Sequence, residues 1–197
     1  MKEILALDID DTSLAYGQQF IKYVNEIMGL NISRKSFISY DLDISFGCTP
    51  QEALDLVNNF NDSYLERIEP LEGAVEGIKT LKDRYNLVNV TSRPAYLDDR
   101  TRNYMEIVFP SCFSATYLVK KEAPELSKGE FCQRIGARIL VDDFIGNLDD
   151  CGRLGIGAYL FGNWPFSRFE HDSALREKYY FVQRARDWSE LVEKLMA

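Results

Sequence analysis

The chain has a single histidine, His171, among its 197 residues. That scarcity weakens every Ser-His or Cys-His hydrolase reading, because His171 lies far along the chain beside no evident nucleophile and reads as an exposed loop residue. Acid–base work then falls to carboxylates. Cysteine is scarce as well: Cys48, Cys112, Cys132 and Cys151 are scattered without C-x-x-C spacing, which argues against a zinc ribbon or a disulfide framework and for free buried thiols in a reducing compartment. No apolar run approaches the roughly 20 residues of a membrane span. The N-terminus passes almost at once into a strand pattern, not a charged-then-apolar leader. A cytoplasmic protein with no membrane partner is therefore expected. Positive charge is also in deficit, with 23 Lys and Arg against 31 Asp and Glu and a net charge of −8. Without a basic run to offset that balance, a nucleic-acid polymer is a poor partner.

What is present is a hydrophobic fraction of 46%, enough to bury a full core as one domain with room for an insertion. Three apolar runs end abruptly in polar residues: Leu5-Ala6-Leu7-Asp8-Ile9-Asp10-Asp11-Thr12, Val88-Asn89-Val90-Thr91-Ser92-Arg93 and Ile139-Leu140-Val141-Asp142-Asp143. Buried parallel strands read this way when their C-terminal tips enter a site, and open α/β sheets bind ligands outside those tips. Crowded carboxylates repel one another unless a cation joins them, and hard oxygen ligands suit Mg²⁺. The pattern points to metal-assisted chemistry on an anionic substrate, phosphoryl transfer above all.

The first strand is expected over 3–9. Phe20, Ile21, Val24, Ile27 and Met28 then fall at helix-face spacing, closed by Gly29. Thr49-Pro50-Gln51-Glu52 combines a hydroxyl N-cap, proline at the first helical position and a reciprocal glutamate, with Ala53, Leu54, Val57 and Phe60 as that helix's apolar side. No strand pattern occurs in 13–72. From Gly73 onward helices and strands alternate: a helix with Val75, Ile78 and Leu81, strand 87–91, helix 96–108, strand 113–119, a helix capped at Ser127-Lys128-Gly129-Glu130, strand 138–141, a helix ending near Gly155, strand 157–161, and a last helix begun by Asp187-Trp188-Ser189-Glu190. The expected fold is α/β, a Rossmann-like parallel sheet with helices on both faces. Its core would be 1–12 and 73–197, with 13–72 a small helical cap inserted after the first strand.

Each motif has two readings. Asp8 and Asp10 are an Asp-rich turn or, with a cation to offset repulsion, a nucleophile and an acid–base pair acting on phosphate. Thr91 is a turn residue or a phosphate donor. Lys128 is a solvated lysine or a functional one, since a cation in a first helical turn opposes the helix dipole. Asp142-Asp143 leans to function, because adjacent carboxylates at a buried strand tip need a cation. Asp149-Asp150 reads as a solvated helix face. Tyr16, Phe20, Tyr40, Phe46 and Tyr64 are a stacking surface for a base or the aromatic core of the cap.

Taken in order, Asp8-x-Asp10-x-Thr12, Thr91, Lys128 and Asp142-Asp143 resemble the motifs of the haloacid dehalogenase-like phosphatase superfamily over nearly the whole chain. The resemblance implies that Asp8 is the nucleophile and Asp10 the general acid–base. It implies Mg²⁺ held by Asp8, the backbone carbonyl of Asp10 and Asp143, with Asp142 acting directly or through water. Thr91 and Lys128 would bind the phosphoryl group, with Lys120 and Lys121 as rivals for the lysine. Asn147 stands where some branches carry a further acid. Ser39-Tyr40-Asp41-Leu42, the helix begun by Thr49, Ile68-Glu69-Pro70-Leu71-Glu72-Gly73-Ala74 and Thr91-Ser92-Arg93-Pro94 resemble the branch containing 5′(3′)-deoxyribonucleotidases. Ser92 joins the phosphate set on that basis, and Arg93 either clamps phosphate bidentately or forms a structural ion pair. The expected activity is phosphomonoester hydrolysis through an aspartyl-phosphate, on a nucleoside monophosphate first and another small phosphorylated metabolite second. Asp10 disfavours halide removal, and a non-catalytic binding protein of the same fold is the rival from another class. Selection would fall to the cap, with Tyr40 and Phe46 flanking the loop 41–45. The oligomeric state, a homodimer included, stays open.

Overall fold

The computed structural model describes residues 2–168 and 172–197, so His171 lies outside the described residues. Six parallel strands form one sheet: β1 (Ile4–Leu7), β2 (Asn86–Thr91), β3 (Ala115–Leu118), β4 (Ala137–Asp142), β5 (Gly157–Phe161) and β6 (Val182–Ala185), in the spatial order β3-β2-β1-β4-β5-β6. The helices are α1 (Tyr16–Met28), α2 (Leu42–Phe46), α3 (Pro50–Tyr64), α4 (Ala74–Arg84), α5 (Asp98–Val108), α6 (Val119–Glu122), α7 (Lys128–Arg134), α8 (Cys151–Leu154), α9 (Ser173–Lys178) and α10 (Trp188–Met196).

Alternation along the strands sends side chains to opposite faces. Leu5 and Leu7 of β1 pack with Ile78 and Leu81 of α4, Met105 of α5 and Leu191 and Leu195 of α10. Ala6 joins Phe131 and Cys132 of α7 and Cys151 of α8 in a second cluster. Both faces are covered, which is why the strands read as nearly continuous apolar runs. The chain runs outward from β1 to β2 and β3, then returns to place β4 on the other side of β1. Strand order reverses there, and such a reversal opens a crevice at the carboxyl ends of the strands.

All six strands lie outside 13–72. The chain leaves and re-enters that segment side by side, with Ala15 N–H donating to Glu69 O at 2.9 Å and Leu71 N–H to Ser13 O at 3.0 Å. Within it, Gly29 closes α1 in the left-handed conformation, and Thr49 and Glu52 form the reciprocal cap that starts α3. The helical faces differ in detail from the periodicity. Ile27 and Leu54 are exposed, while Leu56 is buried. The stretch 41–45, expected as a loop, is mostly the helical turn α2. Phe20, Ile21, Val24, Phe37, Leu56 and Phe60 belong to the same apolar cluster as β1, so packing is continuous between the segment and the sheet.

Besides α2, three elements escape the sequence pattern: α6, which begins at the end of the expected strand 113–119, β6 and α9. Strand β6 carries Gln183 and Arg184 on the sheet's edge, where burial is one-sided and β-propensity weak. Helix α9 has no buried residue at all, hence no apolar stripe to detect. Asp149 and Asp150 are not inside a helix. They occupy the turn before α8, where Asp149 accepts from Lys178 and Tyr179 and Asp150 pairs with Arg153. Among the described residues no helix is long and apolar enough to cross a membrane.

Candidate active site

The site begins one residue past β1. Asp8 N–H donates to Val141 O of β4 at 2.9 Å, so β1 and β4 deliver Asp8 and Asp142 to one edge. The following turn is tight: Ser13 N–H and Leu14 N–H both donate to Ile9 O, Ser13 Oγ donates to Asp8 O, and Asp11 adopts a positive φ of 53°. A short polar side chain tolerates that left-handed conformation better than most. Asp11 in turn accepts from Gly17 N–H with both carboxylate oxygens, at 3.0 and 2.9 Å. It thereby satisfies an orphan donor at the start of α1, whose own N-cap residue Ala15 has no capping side chain. A Cβ at position 17 would stand 2.6 Å from Asp11 Oδ2 and 2.7 Å from the Trp164 ring, so only glycine fits.

Lys128 lies in the first turn of α7 behind the Ser127–Glu130 capping box and is almost wholly buried. Its ammonium donates to Asp8 Oδ1 at 2.9 Å and Asp142 Oδ2 at 2.6 Å. Two carboxylates thus hold a cation where the helix dipole disfavours one. Burial pulls the Lys128 pKa down, but Asp142 and Asp8 outweigh burial and hold it above the ordinary lysine value. The rival lysines are elsewhere: Lys121 bonds Asp98 at 2.5 Å, and Lys120 is exposed. Asp142 accepts also from Phe144 N–H at 3.0 Å and Asn147 Nδ2 at 2.9 Å, both on Oδ1. The amide at position 147, in place of an acid, therefore orients Asp142.

Asp143 differs from its neighbour. Its carbonyl accepts from Ser167 Oγ at 2.6 Å, while its carboxylate accepts no hydrogen bond from the described residues. Asp8, Asp142 and Asp143 each offer a carboxylate oxygen, these lying within 4.8 Å of one another, and all three residues are buried. Burial pushes Asp8 up to about 7, with Lys128 opposing and Asp142 adding to the rise. Asp143 is driven well above the carboxylate range by burial and then by Asp11 and Asp142. Burial likewise lifts Asp11 to about 8, opposed by the Gly17 bond. With all three ionised, the carboxylates and one ammonium would leave two negative charges, which one divalent cation would balance. The donors are hard oxygens, the type that Mg²⁺ prefers. This donor set fits such an ion.

Asp10 stands apart from that cluster. Its carboxylate meets Arg93 at two points, Nε to Oδ2 at 2.8 Å and Nη2 to Oδ1 at 2.6 Å. Arg93 is buried and its Nη1 reaches Thr101 Oγ1 at 3.3 Å. Of the two readings of Arg93, the ion pair is the one displayed, and Arg93 also lines the cavity. Thr91 is buried at the tip of β2 and accepts from Arg93 N–H, while Ser92 is exposed on the cavity wall.

These groups floor a cavity of about 260 Å³ whose upper walls are aromatic. Tyr16, Phe20 and Tyr40 line it; Phe46 and Tyr64 do not, and pack into the core instead. Phe37, Trp164 and Phe166 complete the wall, with Trp164 and Phe166 stacked at 5.6 Å. Those two had a legible signal: Gly162-Asn163-Trp164-Pro165 follows the apolar run of β5 as another strand tip at the same edge. Asp11 and Asn61 were also missed, one as a third Asp in a turn, the other inside a helical pattern.

No protein-family model matches the chain. Compared with solved structures, it superposes on a haloacid dehalogenase-like hydrolase of Streptococcus pneumoniae with a TM-score of 0.70 at 15% identity, covering 98% of each chain. The fold is that of the haloacid dehalogenase-like hydrolases. An L-2-haloacid dehalogenase shares it, with a TM-score of 0.57, 14% identity, and 100% and 99% of the two chains covered. In sequence, the chain is 25% identical over 100 residues to a candidate nucleotidase of Halalkalibacterium halodurans, a match covering 51% of each protein. The match thus spans about half the length of the curated relatives.

Proposed function

We propose that the protein is a phosphomonoester hydrolase of the haloacid dehalogenase-like type, acting through an aspartyl-phosphate on Asp8. The observation that carries this reading is Asp8 itself, held at the tip of β1 between the Lys128 ammonium and the Asp142–Asp143 pair, on the floor of an open cavity. Asp8 attacks phosphorus as the P–O bond to the leaving group breaks, and Asp10 gives that oxygen a proton. Asp10 then takes a proton from the water that cleaves the acyl phosphate, restoring both carboxyls. Lys128, Thr91 and Ser92 face the phosphoryl oxygens as donors. Asp8, Asp143 and Asp142, with the backbone carbonyl of Asp10, would hold Mg²⁺, which supplies positive charge between a carboxylate and an anionic phosphate.

The floor recognises only phosphate, so selection falls to the walls, and 13–72 acts as the selecting cap. The aromatic walls and the partial match to a candidate nucleotidase favour a nucleoside monophosphate as substrate. A panel of phosphorylated metabolites and 2-haloacids, with and without Mg²⁺, tests the reading. Mg²⁺-dependent phosphate release, strongest with nucleotides, is expected. Halide release without phosphate release, or neither from folded protein, overturns it.

A further inference from the structure

One buried polar side chain in the cavity has no part in the chemistry described so far. Asn61 lies near the end of α3, 4% exposed, on the cavity wall beside the Tyr16 hydroxyl. A buried position on a largely apolar wall favours an apolar residue, and an amide there needs partners for its donors as well as its acceptor. Only its acceptor is supplied: Tyr16 Oη donates to Asn61 Oδ1 at 3.0 Å. Asn61 Nδ2 donates to no described residue, and Asn61 lines the cavity.

We infer that Asn61 is a specificity-determining residue whose Nδ2 donates to an oxygen acceptor on the group that leaves from the phosphate. Most of the wall is apolar, with Phe20, Phe37, Val57, Trp164 and Phe166 alongside the hydroxyl-bearing Tyr40, so an amide donor gives the cavity a direction as well as a shape. With Oδ1 occupied by Tyr16, the amide presents donors to a ligand. It accepts carbonyl, ether or hydroxyl oxygens and opposes an amino group at the same place. Tyr16 is the positioning residue, since its hydroxyl sets which end of the amide faces the cavity. The favoured substrate has a ring to pack against the aromatic wall and an oxygen at its edge, a description that an oxo-substituted nucleoside monophosphate meets. This inference rests on the phosphatase reading for its kinetic form but not for its binding form.

The test compares thymidine 5′-monophosphate, rich in edge oxygens, with phenyl phosphate, whose leaving group has none beyond the ester oxygen. For Asn61→Leu, which keeps volume and removes the amide, the ratio of the two kcat/KM values is expected to fall about tenfold, the worth of one hydrogen bond to a buried partner. Asn61→Asp is expected to fall further, because a carboxylate repels the acceptor. Tyr16→Phe leaves the amide free to turn, and its ratio is expected to fall by less than that of Asn61→Leu. Thermal unfolding of each variant separates selectivity from folding. Equal losses on both substrates, an Asn61→Asp protein that keeps its preference for the nucleotide, or a wild type indifferent between the two esters overturns the inference. If the wild type hydrolyses neither ester, the phosphatase reading has failed and calorimetric binding of thymidine 5′-monophosphate takes over. Weaker binding in Asn61→Leu and weaker still in Asn61→Asp upholds the role of Asn61; equal affinities overturn it.

Discussion

The two halves of the cavity are built by different means. Its floor is charge held by charge: Asp8, Lys128, Asp142 and Asp143 lie at or next to the ends of β1, β4 and α7, and 120 positions separate Lys128 from the Asp8 it bonds. Its walls are mostly rings, drawn from 13–72 and from the segment after β5, and they meet chiefly through stacking and edge contacts, with the Tyr16–Asn61 hydrogen bond among them. A buried charge that loses its partner is costly, whereas an aromatic contact can be remade by a neighbouring ring. The floor is therefore the part least tolerant of change; under the proposed function it would serve any phosphate ester, and the walls would be where one substrate is exchanged for another.

The sharpest way to break that comparison is Asp8→Asn. An amide does not attack phosphorus, so kcat on every ester is expected to fall by about a thousandfold or more, with thermal unfolding showing a folded protein. Substantial turnover on any one ester, with deamidation excluded by mass spectrometry, would remove Asp8 as nucleophile and leave the floor without a function.

Lys128→Met comes next and tests whether the floor is as charge-bound as it looks. It strips the counter-charge from Asp8 and Asp142, and breaking a buried pair in this way costs about 3–5 kcal/mol, to be read from urea unfolding. The site then holds three carboxylates and no ammonium. Mg²⁺ is accordingly expected to raise the unfolding midpoint of the variant more than that of the wild type, and a chelator to abolish the difference. Equal Mg²⁺ responses in the two proteins would mean that the carboxylate cluster is not where the ion binds.

Arg93→Lys has a smaller expected effect, since it keeps the charge and loses only the two-point grip on Asp10. Turnover of ordinary esters is expected to fall by about tenfold to a hundredfold, within the range of a general acid's contribution. An ester with an activated leaving group should lose less. A uniform loss on both kinds of ester would show that Arg93 serves the phosphate directly.

The same division explains what could be read from the sequence. The floor was legible because a buried parallel strand is a continuous apolar run, and its abrupt end in Asp8, Thr91 or Asp142 marks a tip. Lys128 was legible as an oddity, a cation in a first helical turn, although Lys120 and Lys121 competed until the structure put Lys121 on Asp98. The walls were harder. Trp164 and Phe166 sit past the tip of β5, where the end of an apolar run was their one signal, and Asn61 falls beside Phe60 on a helix whose periodicity marks the face without saying that one polar member of it is buried. Asp11 looked like one more turn carboxylate, because its partner Gly17 belongs to the next helix. Strand β6 was invisible for the opposite reason to the floor, being a polar edge rather than a buried centre.

The smallest effect is the most discriminating within the walls. Tyr40 and Phe46 flank the same short segment and carried the same expectation from sequence, namely selection of the nucleotide. The structure separates them. Tyr40 is half exposed, lines the cavity, stacks on Phe144 at 4.0 Å and meets Phe166 edge-on at 5.7 Å. Phe46 does not line the cavity and packs against Phe20 and Phe37 at 5.9 and 5.1 Å. An aromatic contact of this kind contributes about 0.5–1.5 kcal/mol beyond its buried area, so Tyr40→Ala is expected to raise KM for a nucleotide roughly twofold to tenfold while leaving stability nearly unchanged. Phe46→Ala should instead lower stability by about 1–3 kcal/mol, less than a fully buried phenylalanine would lose, and shift KM for nucleotide and phenyl phosphate alike. If the two variants behave alike in selectivity, the aromatic wall does not end where the cavity ends, and Phe46 supports the substrate through Phe20 and Phe37.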